Sequence, residues 1–252
     1  MKVAVITRHA ITNYGSLLQA IATQEIVKQL GNECEIIDYI RKDESFWKSE
    51  RTLIKKKTEW NNSPLKKLIY LALRSPESII AGKRFSKERK KYLNLGKCYS
   101  SAKELKIDSP NADTYMTGSD QVWGPVMNGT YDDSYCLSFT DKNKVAYASS
   151  FGHIDITKEL EDYYKKWLSK YKFIAVREDS AVDILKGINI EAKQVLDPTL
   201  LLDKSYWEKL SKPIKKQKYV LVYQLHNNKE LDDYAKRVAE MKGLPLILLS
   251  GI

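Results

Sequence analysis

Cysteine is scarce in this sequence of 252 residues, and its positions exclude the usual metal and redox sites. The three cysteines, Cys34, Cys98 and Cys136, lie far apart and form none of the close pairs on which zinc and dithiol sites depend. We therefore expect three unpaired thiols, no metal site and no bound cofactor.

Long hydrophobic runs are also missing. The apolar run at residues 3–7 breaks at Arg8 and His9, so it is too short for a signal peptide or a membrane-spanning helix. The composition, 43% hydrophobic, is nevertheless sufficient for the core of one large domain or two smaller ones. These features predict a folded globular protein of the cytoplasm.

Acidic residues are in deficit, with 32 against 42 basic residues and a formal net charge of +10. The excess lies in residues 41–104, which contain 18 basic and 7 acidic residues. This segment has neither a zinc-finger pattern nor aromatic residues interleaved with basic ones, so no nucleic-acid partner is expected. It is interpreted as a solvated helical face or as a surface that docks onto anionic lipids at the inner face of the membrane.

Strand and helix patterns alternate along most of the chain. An apolar strand at 3–7, a helix at 17–30 and a strand at 35–40 form a first βαβ unit, which predicts a parallel sheet. Further strands are expected at 114–117, 144–148, 173–176 and 193–196, with helices at 157–169 and 180–185. The fold class is therefore α/β, with a doubly wound, Rossmann-like sheet.

Two departures from this alternation suggest the domain organisation. No strand pattern occurs between Arg41 and Lys106, where proline-led stretches at 64–73 and 76–93 predict a helical insertion outside the sheet. A lysine-rich segment places a boundary near Lys215. Residues 1–215 then form the first domain, and residues 216–252 begin a second Rossmann-like domain that we expect to be incomplete.

Four loops that follow predicted strands are candidates for the functional site, at 12–16, 117–123, 148–152 and 176–180. In a parallel sheet, such loops meet at the carboxyl ends of the strands, where ligands bind. We therefore expect Asn13, Asp120, Ser150 and Arg177 to lie on one rim. Backbone amides near Gly15 and Gly118 are candidate donors to an anion.

The first two loops also have structural interpretations. Asn-Gly-type loops such as the one at Asn13 are common helix caps. Ser119 and Asp120 can equally cap a helix while Trp123 packs in the core. Loop residues placed by a rigid sheet are more often functional, which favours a role for Asp120 and Gln121.

Arg177 likewise has two interpretations. Its guanidinium can bind a carboxylate or phosphate through two parallel hydrogen bonds, or it can form an ion pair with Glu178 or Asp179. His153, a lone histidine after the third loop, is expected to be structural or solvated.

Five ordered segments span almost the whole chain. They are the Asn13 loop within 6–20, Gly-Ser-Asp-Gln-Val-Trp at 118–123, Tyr-Ala-Ser-Ser-Phe-Gly at 147–152, Val-Arg-Glu at 176–178 and Leu-Asp-Pro-Thr-Leu-Leu at 196–201. Together they resemble the polysaccharide pyruvyl transferase family. The resemblance implies two Rossmann-like domains in the GT-B arrangement, with the active site in the cleft between them.

The resemblance also implies an activity in bacterial exopolysaccharide biosynthesis. Phosphoenolpyruvate is the implied co-substrate, and a sugar hydroxyl of a cell-envelope polysaccharide, or of its lipid-linked precursor, is the implied acceptor. Ketal formation needs a cationic clamp for the donor, an acid for the methylene carbon and a base for the hydroxyl. The alternatives are a GT-B nucleotide-sugar glycosyltransferase and a noncatalytic glycan-binding domain.

Motif position assigns Asp120 as the base or sugar-hydroxyl acceptor and Arg177 as the clamp. The remaining predicted substrate-binding residues are Asn13, Tyr14, Gly15, Gln19, Gly118, Ser119, Gln121, Trp123, Ser150, Phe151, Gly152 and Glu178. Family members also carry a Ser-Phe-His-Gly-like motif in the second domain. That motif is not found in this sequence and His226 does not match it, so the general acid is unassigned.

Overall fold

A computed structural model describes residues 1–41, 54, 62–126, 129–212, 217–224 and 227–250. Contacts divide the chain into two compact units, Met1–Asp203 and Lys204–Ile252. The sequence placed the boundary near Lys215, and residues 213–216 lie outside the described part. Among the described helices, none is long and apolar enough to cross a membrane.

A parallel sheet forms the centre of the first unit. Its strands are β1 (Lys2–Ile6), β2 (Glu33–Tyr39), β3 (Leu95–Tyr99), β4 (Thr114–Thr117), β5 (Asn143–Ser149), β6 (Phe173–Val176) and β7 (Lys193–Gln194). Their order is β3-β2-β1-β4-β5-β6-β7, and neighbouring strands are parallel. The chain therefore reverses its direction of winding between β1 and β4. The predicted doubly wound, Rossmann-like α/β sheet is confirmed.

Helices flank this sheet. They are α1 (Tyr14–Gln29), α2 (Pro64–Tyr92), α3 (Ala102–Ile107), α4 (Lys158–Leu168) and α5 (Asp179–Gly187), with short 3-10 turns at Asp133–Cys136 and Pro198–Leu200. Strand β1 is buried from Val3 to Ile6, as expected for a central strand whose two faces are both covered. The point where the winding reverses, the switch point, therefore lies beside a fully buried strand.

The predicted helical insertion at 41–104 is partly wrong. Strand β3 lies inside that range and pairs with β2, with Asp38 beside Cys98 and Tyr39 beside Tyr99. It is an edge strand in which only Tyr99 is buried, so it lacks the apolar run of a central strand. The helical part is a single helix, α2, which contains Pro76 in its interior, whereas two helices were predicted. Residues 42–53 and 55–61 lie outside the described part.

The second unit contains a strand, helix, strand unit. Helix α6 (Lys204–Leu210) precedes β8 (Val220–Gln224), α7 (Lys229–Lys242) and β9 (Leu246–Ser250). The two strands pair in parallel, from Val220 beside Leu246 to Gln224 beside Ser250. Asn228 caps α7 through a hydrogen bond from the Leu231 amide at 3.1 Å, and Gly243 ends it with a φ of 60°. A parallel strand, helix, strand unit of this kind is what the start of a Rossmann-like domain contains.

Candidate functional site

The loops after β1 and β4 meet at the switch point and are joined by a buried polar network. Thr7 Oγ1 donates a hydrogen bond to the Ser119 carbonyl at 2.8 Å, and Gln19 Nε2 of α1 donates to Thr7 Oγ1 at 2.8 Å. Gly118 passes close to β1, since a Cβ there would lie 3.2 Å from both Thr7 Cβ and Val5 Cγ1. Gln19 and Gly118 thus fix the two loops to each other.

Asp120 occupies the centre of this junction in a strained conformation. Its φ of 81° lies in the left-handed region, which aspartate tolerates better than most residues. Its carbonyl accepts from the Ser150 amide at 3.1 Å, and its backbone bridges to Ser149. The partly exposed carboxylate accepts from Ser16 Oγ at 2.6 Å and from the Gln121 amide at 2.8 Å. Strain held by a neighbouring strand is a mark of functional positions.

Asn13 is the N-cap of α1, as its structural interpretation proposed. Its Oδ1 accepts from the Gly15 amide at 2.7 Å and from the Ser16 amide at 3.3 Å. The Gly118 amide likewise donates to the Ile6 carbonyl at 2.9 Å. The amides of Gly15 and Gly118 therefore already donate hydrogen bonds within the protein. They are not the open anion donors that the sequence led us to expect.

Two of the predicted substrate-binding residues, Trp123 and Phe151, belong to the core below the rim. Trp123 and Phe151 are buried, with ring centroids 5.0 Å apart, and Phe151 lies 4.8 Å from the Tyr164 ring. The Trp123 amide donates to the Ser150 carbonyl at 3.1 Å, and the Tyr164 hydroxyl donates to the Trp123 carbonyl. Ser150 Oγ accepts from the Gly152 amide at 3.0 Å. This core holds the loops after β4 and β5 together.

Gln121 and Tyr14 are two exposed members of the predicted set that lie beside these loops. A Cβ at Gly152, whose φ is 74°, would lie 2.9 Å from Gln121 Cδ, so the amide side chain covers that glycine closely. The Tyr14 ring packs edge-on against Phe85 of α2, with centroids 5.8 Å apart. Both side chains are accessible to a ligand.

Arg177 lies between two carboxylates at the same edge. Its amide donates to the Ser149 carbonyl at 3.1 Å, which places it directly after β6. Its guanidinium is 3.6 Å from Glu178 and 3.5 Å from Asp197, and its side chain is 32% exposed. The ion pair with Glu178 is one that the sequence suggested, whereas Asp197 takes the place considered for Asp179.

Asp197 connects the loop after β7 to the loop after β4. Its carboxylate accepts from Ser119 Oγ at 2.9 Å, from the Thr199 amide at 3.0 Å and from Thr199 Oγ1 at 2.7 Å. Burial opposes its ionisation, but the hydrogen bonds from Thr199 and Ser119 and the charge of Arg177 hold its pKa below the ordinary value. Asp197 lies in the Leu-Asp-Pro-Thr-Leu-Leu segment, directly after the strand predicted at 193–196, and that position was the available signal for a role at this edge.

Arg8 is a further cation of this edge, although in the sequence it stands out only as the end of an apolar run. It follows β1, and its Nη2 donates to the carbonyls of Gly124 and Pro125 at 2.9 and 3.0 Å. Its guanidinium carbon lies 5.6 Å from the centroid of the Tyr135 ring. Within the described part of the chain, no carboxylate forms an ion pair with Arg8.

A buried charged cluster lies next to the same loop. The ring of His9 is 3.0 Å from Asp38 through Nε2 and 3.1 Å from the Thr7 carbonyl through Nδ1. Arg89 of α2 is 3.7 Å from Asp38. Burial opposes the ionisation of Asp38, but the His9 hydrogen bond and the Arg89 charge lower its pKa. This cluster joins β1, β2 and α2, and no sequence pattern indicated it.

The loops after β1, β4, β5 and β6 therefore meet at one rim, which brings together the regions of Asn13, Asp120, Ser150 and Arg177. No curated protein and no solved structure shows significant similarity to the chain. The family model for polysaccharide pyruvyl transferase matches residues 13–250, which include almost all of this rim. Because that match covers nearly the whole sequence, the protein belongs to the polysaccharide pyruvyl transferase family.

Proposed function

We propose that the protein transfers a pyruvyl group from phosphoenolpyruvate to a sugar of a cell-envelope polysaccharide or its lipid-linked precursor. Family membership supports polysaccharide pyruvylation. The observation that carries the proposal is the partly exposed Asp120 carboxylate at the switch point, on an edge that also holds Arg8 and Arg177. Phosphoenolpyruvate is an anion, which the cations can bind, and its acceptor is a hydroxyl, which the carboxylate can deprotonate. The GT-B arrangement stays a prediction.

In the proposed reaction, Asp120 takes the proton of one acceptor hydroxyl as that oxygen bonds to C2 of phosphoenolpyruvate. As that bond forms, the electron pair of the double bond takes up a proton from water at the methylene carbon, which becomes a methyl group, and Asp120 returns its own proton to water, so the addition consumes no net proton. A second hydroxyl displaces phosphate from C2, closes the ketal and gives its proton to the leaving phosphate. The hydrogen bond from Ser16 Oγ orients the Asp120 carboxylate for the first of these steps.

Two arginines can supply positive charge for the donor. The contacts of Arg177 with Glu178 and Asp197, at 3.6 and 3.5 Å, are longer than optimal charge-assisted hydrogen bonds of roughly 2.7–2.9 Å. An anion that offers shorter, two-pronged contacts can therefore compete for this guanidinium. Arg8 forms its hydrogen bonds with carbonyl groups, so its charge is not cancelled by a carboxylate among the described residues.

Isothermal titration calorimetry of the full chain tests this function. We expect binding of phosphoenolpyruvate and no binding across a panel of nucleotide sugars. Phosphate release should then require both phosphoenolpyruvate and a glycan acceptor. Binding of a nucleotide sugar without phosphoenolpyruvate would instead identify a glycosyltransferase, and binding of glycan alone would identify a noncatalytic module.

The substitution Arg177→Lys tests the clamp. Lysine keeps the charge but loses the planar two-pronged geometry, so affinity for phosphoenolpyruvate should fall about tenfold to a hundredfold. This corresponds to a charge-assisted contact of roughly 1.5–3 kcal/mol. Phosphoenolpyruvate affinity and melting temperature are both measured on this variant.

The matched control for Arg177→Lys is Glu178→Gln, which removes an ion-pair partner and keeps the guanidinium. If Arg177 is purely structural, both substitutions will lower the melting temperature and neither will change donor binding. Unaltered donor affinity in a folded Arg177→Lys variant would refute the clamp.

A further inference from the structure

Helix α2 buries one face and exposes the opposite one. Tyr70, Phe85 and Arg89 are buried, and they lie on the same side of the helix. Phe85 contacts Tyr14 at the candidate site, and Arg89 approaches Asp38 in the charged cluster. The inner face therefore attaches the helix firmly to the first unit.

The outer face of α2 carries large apolar side chains between Leu65 and Ile80. Six large side chains recur there at helical spacings and are between 36% and 70% exposed: Leu65, Leu68, Ile69, Leu73, Ile79 and Ile80. We call these six residues the apolar stripe. Scattered exposed apolar residues are ordinary on proteins, but several large apolar side chains that share one helix face mark an interaction surface.

The same outer face is cationic over its second half. Lys83, Lys87, Lys90 and Lys91 continue the three- and four-residue spacing from Ile79 and Ile80, and all four are exposed. We call these four residues the lysine cluster. Among the α2 side chains that the structure describes as exposed, none is a carboxylate. The helix thus presents apolar surface and an excess of positive charge in one direction, with the half-buried Glu88 as an acidic neighbour of Lys91.

We propose that the outer face of α2 binds the surface of an anionic lipid bilayer. The apolar stripe would lie among the upper acyl chains, and the lysine cluster would lie on anionic head groups, as interfacial amphipathic helices do. Charge complementarity favours this partner over a second copy of the chain. In a symmetric pair of helices, each lysine cluster would face either its own copy or the apolar stripe, and neither supplies a counter-charge. This inference goes beyond the proposed function and does not depend on it.

Co-sedimentation of the full chain with vesicles tests the charge requirement. We expect binding to vesicles of phosphatidylcholine containing phosphatidylglycerol and much weaker binding to phosphatidylcholine alone. Each lysine near an anionic surface contributes roughly a fivefold gain in partitioning, so Lys87→Gln with Lys90→Gln should weaken binding about 25-fold. The matched control, Lys158→Gln with Lys186→Gln, removes two exposed lysines from α4 and α5 and should leave binding unchanged.

A second pair of variants tests the apolar requirement. Leu65→Ser with Leu73→Ser should weaken vesicle binding roughly tenfold or more, whereas Ile107→Ser with Ile154→Ser, at somewhat more exposed positions off this helix, should not. Failure of the wild-type chain to sediment with anionic vesicles would overturn the proposal, as would equal binding by both charge variants. Light scattering that shows a dimer abolished by the Leu65 and Leu73 substitutions, without vesicle binding, would assign the stripe to a second copy. None of these experiments uses phosphoenolpyruvate. A negative result would therefore overturn the lipid-binding proposal and leave the proposed function untouched.

Discussion

Replacing Asp120 by asparagine is expected to lower kcat for pyruvyl transfer by roughly 10² to 10⁴, the usual contribution of a general base. Asparagine also tolerates a left-handed backbone, so the φ of 81° can be kept. Its amide oxygen can accept from the Gln121 amide in the place of Oδ1, and its NH2 group, in the place of Oδ2, can donate to Ser16 Oγ, since a hydroxyl oxygen also accepts. The variant therefore removes the base with little disturbance of the loop. Phosphate release in the presence of phosphoenolpyruvate and acceptor is the measurement.

The Asp120 experiment needs a control for the position of the carboxylate. Ser16→Ala removes the hydrogen bond to Asp120 and leaves the base in place, so its kcat should fall much less. Phosphoenolpyruvate affinity and melting temperature should stay close to wild type in both variants. Full activity in a folded Asp120→Asn variant would exclude this residue as the base.

Replacing Asp38 by alanine is expected to cost about 3–5 kcal/mol of the free energy of unfolding, as removal of one partner from a buried charge cluster does. The substitution leaves His9 and Arg89 buried without their shared carboxylate. Denaturant unfolding followed by tryptophan fluorescence measures the loss. The control is Asp108→Ala, because Asp108 pairs with Lys97 at the surface and such pairs contribute about 1 kcal/mol or less.

The Asp38 cluster should also affect stability in acid. The pKa of Asp38 is lowered in the folded protein, so its contribution is complete above the ordinary carboxyl value of about 3.9. That contribution is lost as the pH falls through the lowered, folded value. An Asp38→Asn variant has no such carboxylate, so it should lose less stability than wild type on acidification to about pH 3. Parallel acid curves for the two proteins would contradict this assignment.

The sequence was most informative for the central strands. Strands β1 and β6 were predicted because they are buried along almost their whole length and appear as apolar runs. Strands β4 and β5 were also predicted, although buried and half-buried residues alternate in them. The edge strand β3 was missed because its residues, Leu95–Tyr99, are mostly half-exposed or exposed and mix apolar with polar side chains. Likewise, Pro76 suggested the start of a new helix, although α2 continues through it.

The rim was predictable, whereas the partners within it were not. Parallel strands direct their following loops to one edge, which is sufficient to group the regions of Asp120 and Arg177. Contacts such as Ser16 with Asp120 or Arg177 with Asp197 depend on three-dimensional register that one sequence does not encode as a pattern. Trp123 looked equally suited to a ligand or to the core, and its burial against Phe151 places it in the core.

The junction of β1 with β4 has a consequence for how the protein folds. Thr7 and Ser119, which meet there, are 112 residues apart in the sequence. Strands β1 and β2 can pair early, but closing so long a loop costs entropy and slows folding. The two sides of the rim therefore come into contact only when the halves of the sheet join. A ligand that bridges them binds the joined state alone, and by mass action it stabilises that state against separation of the halves.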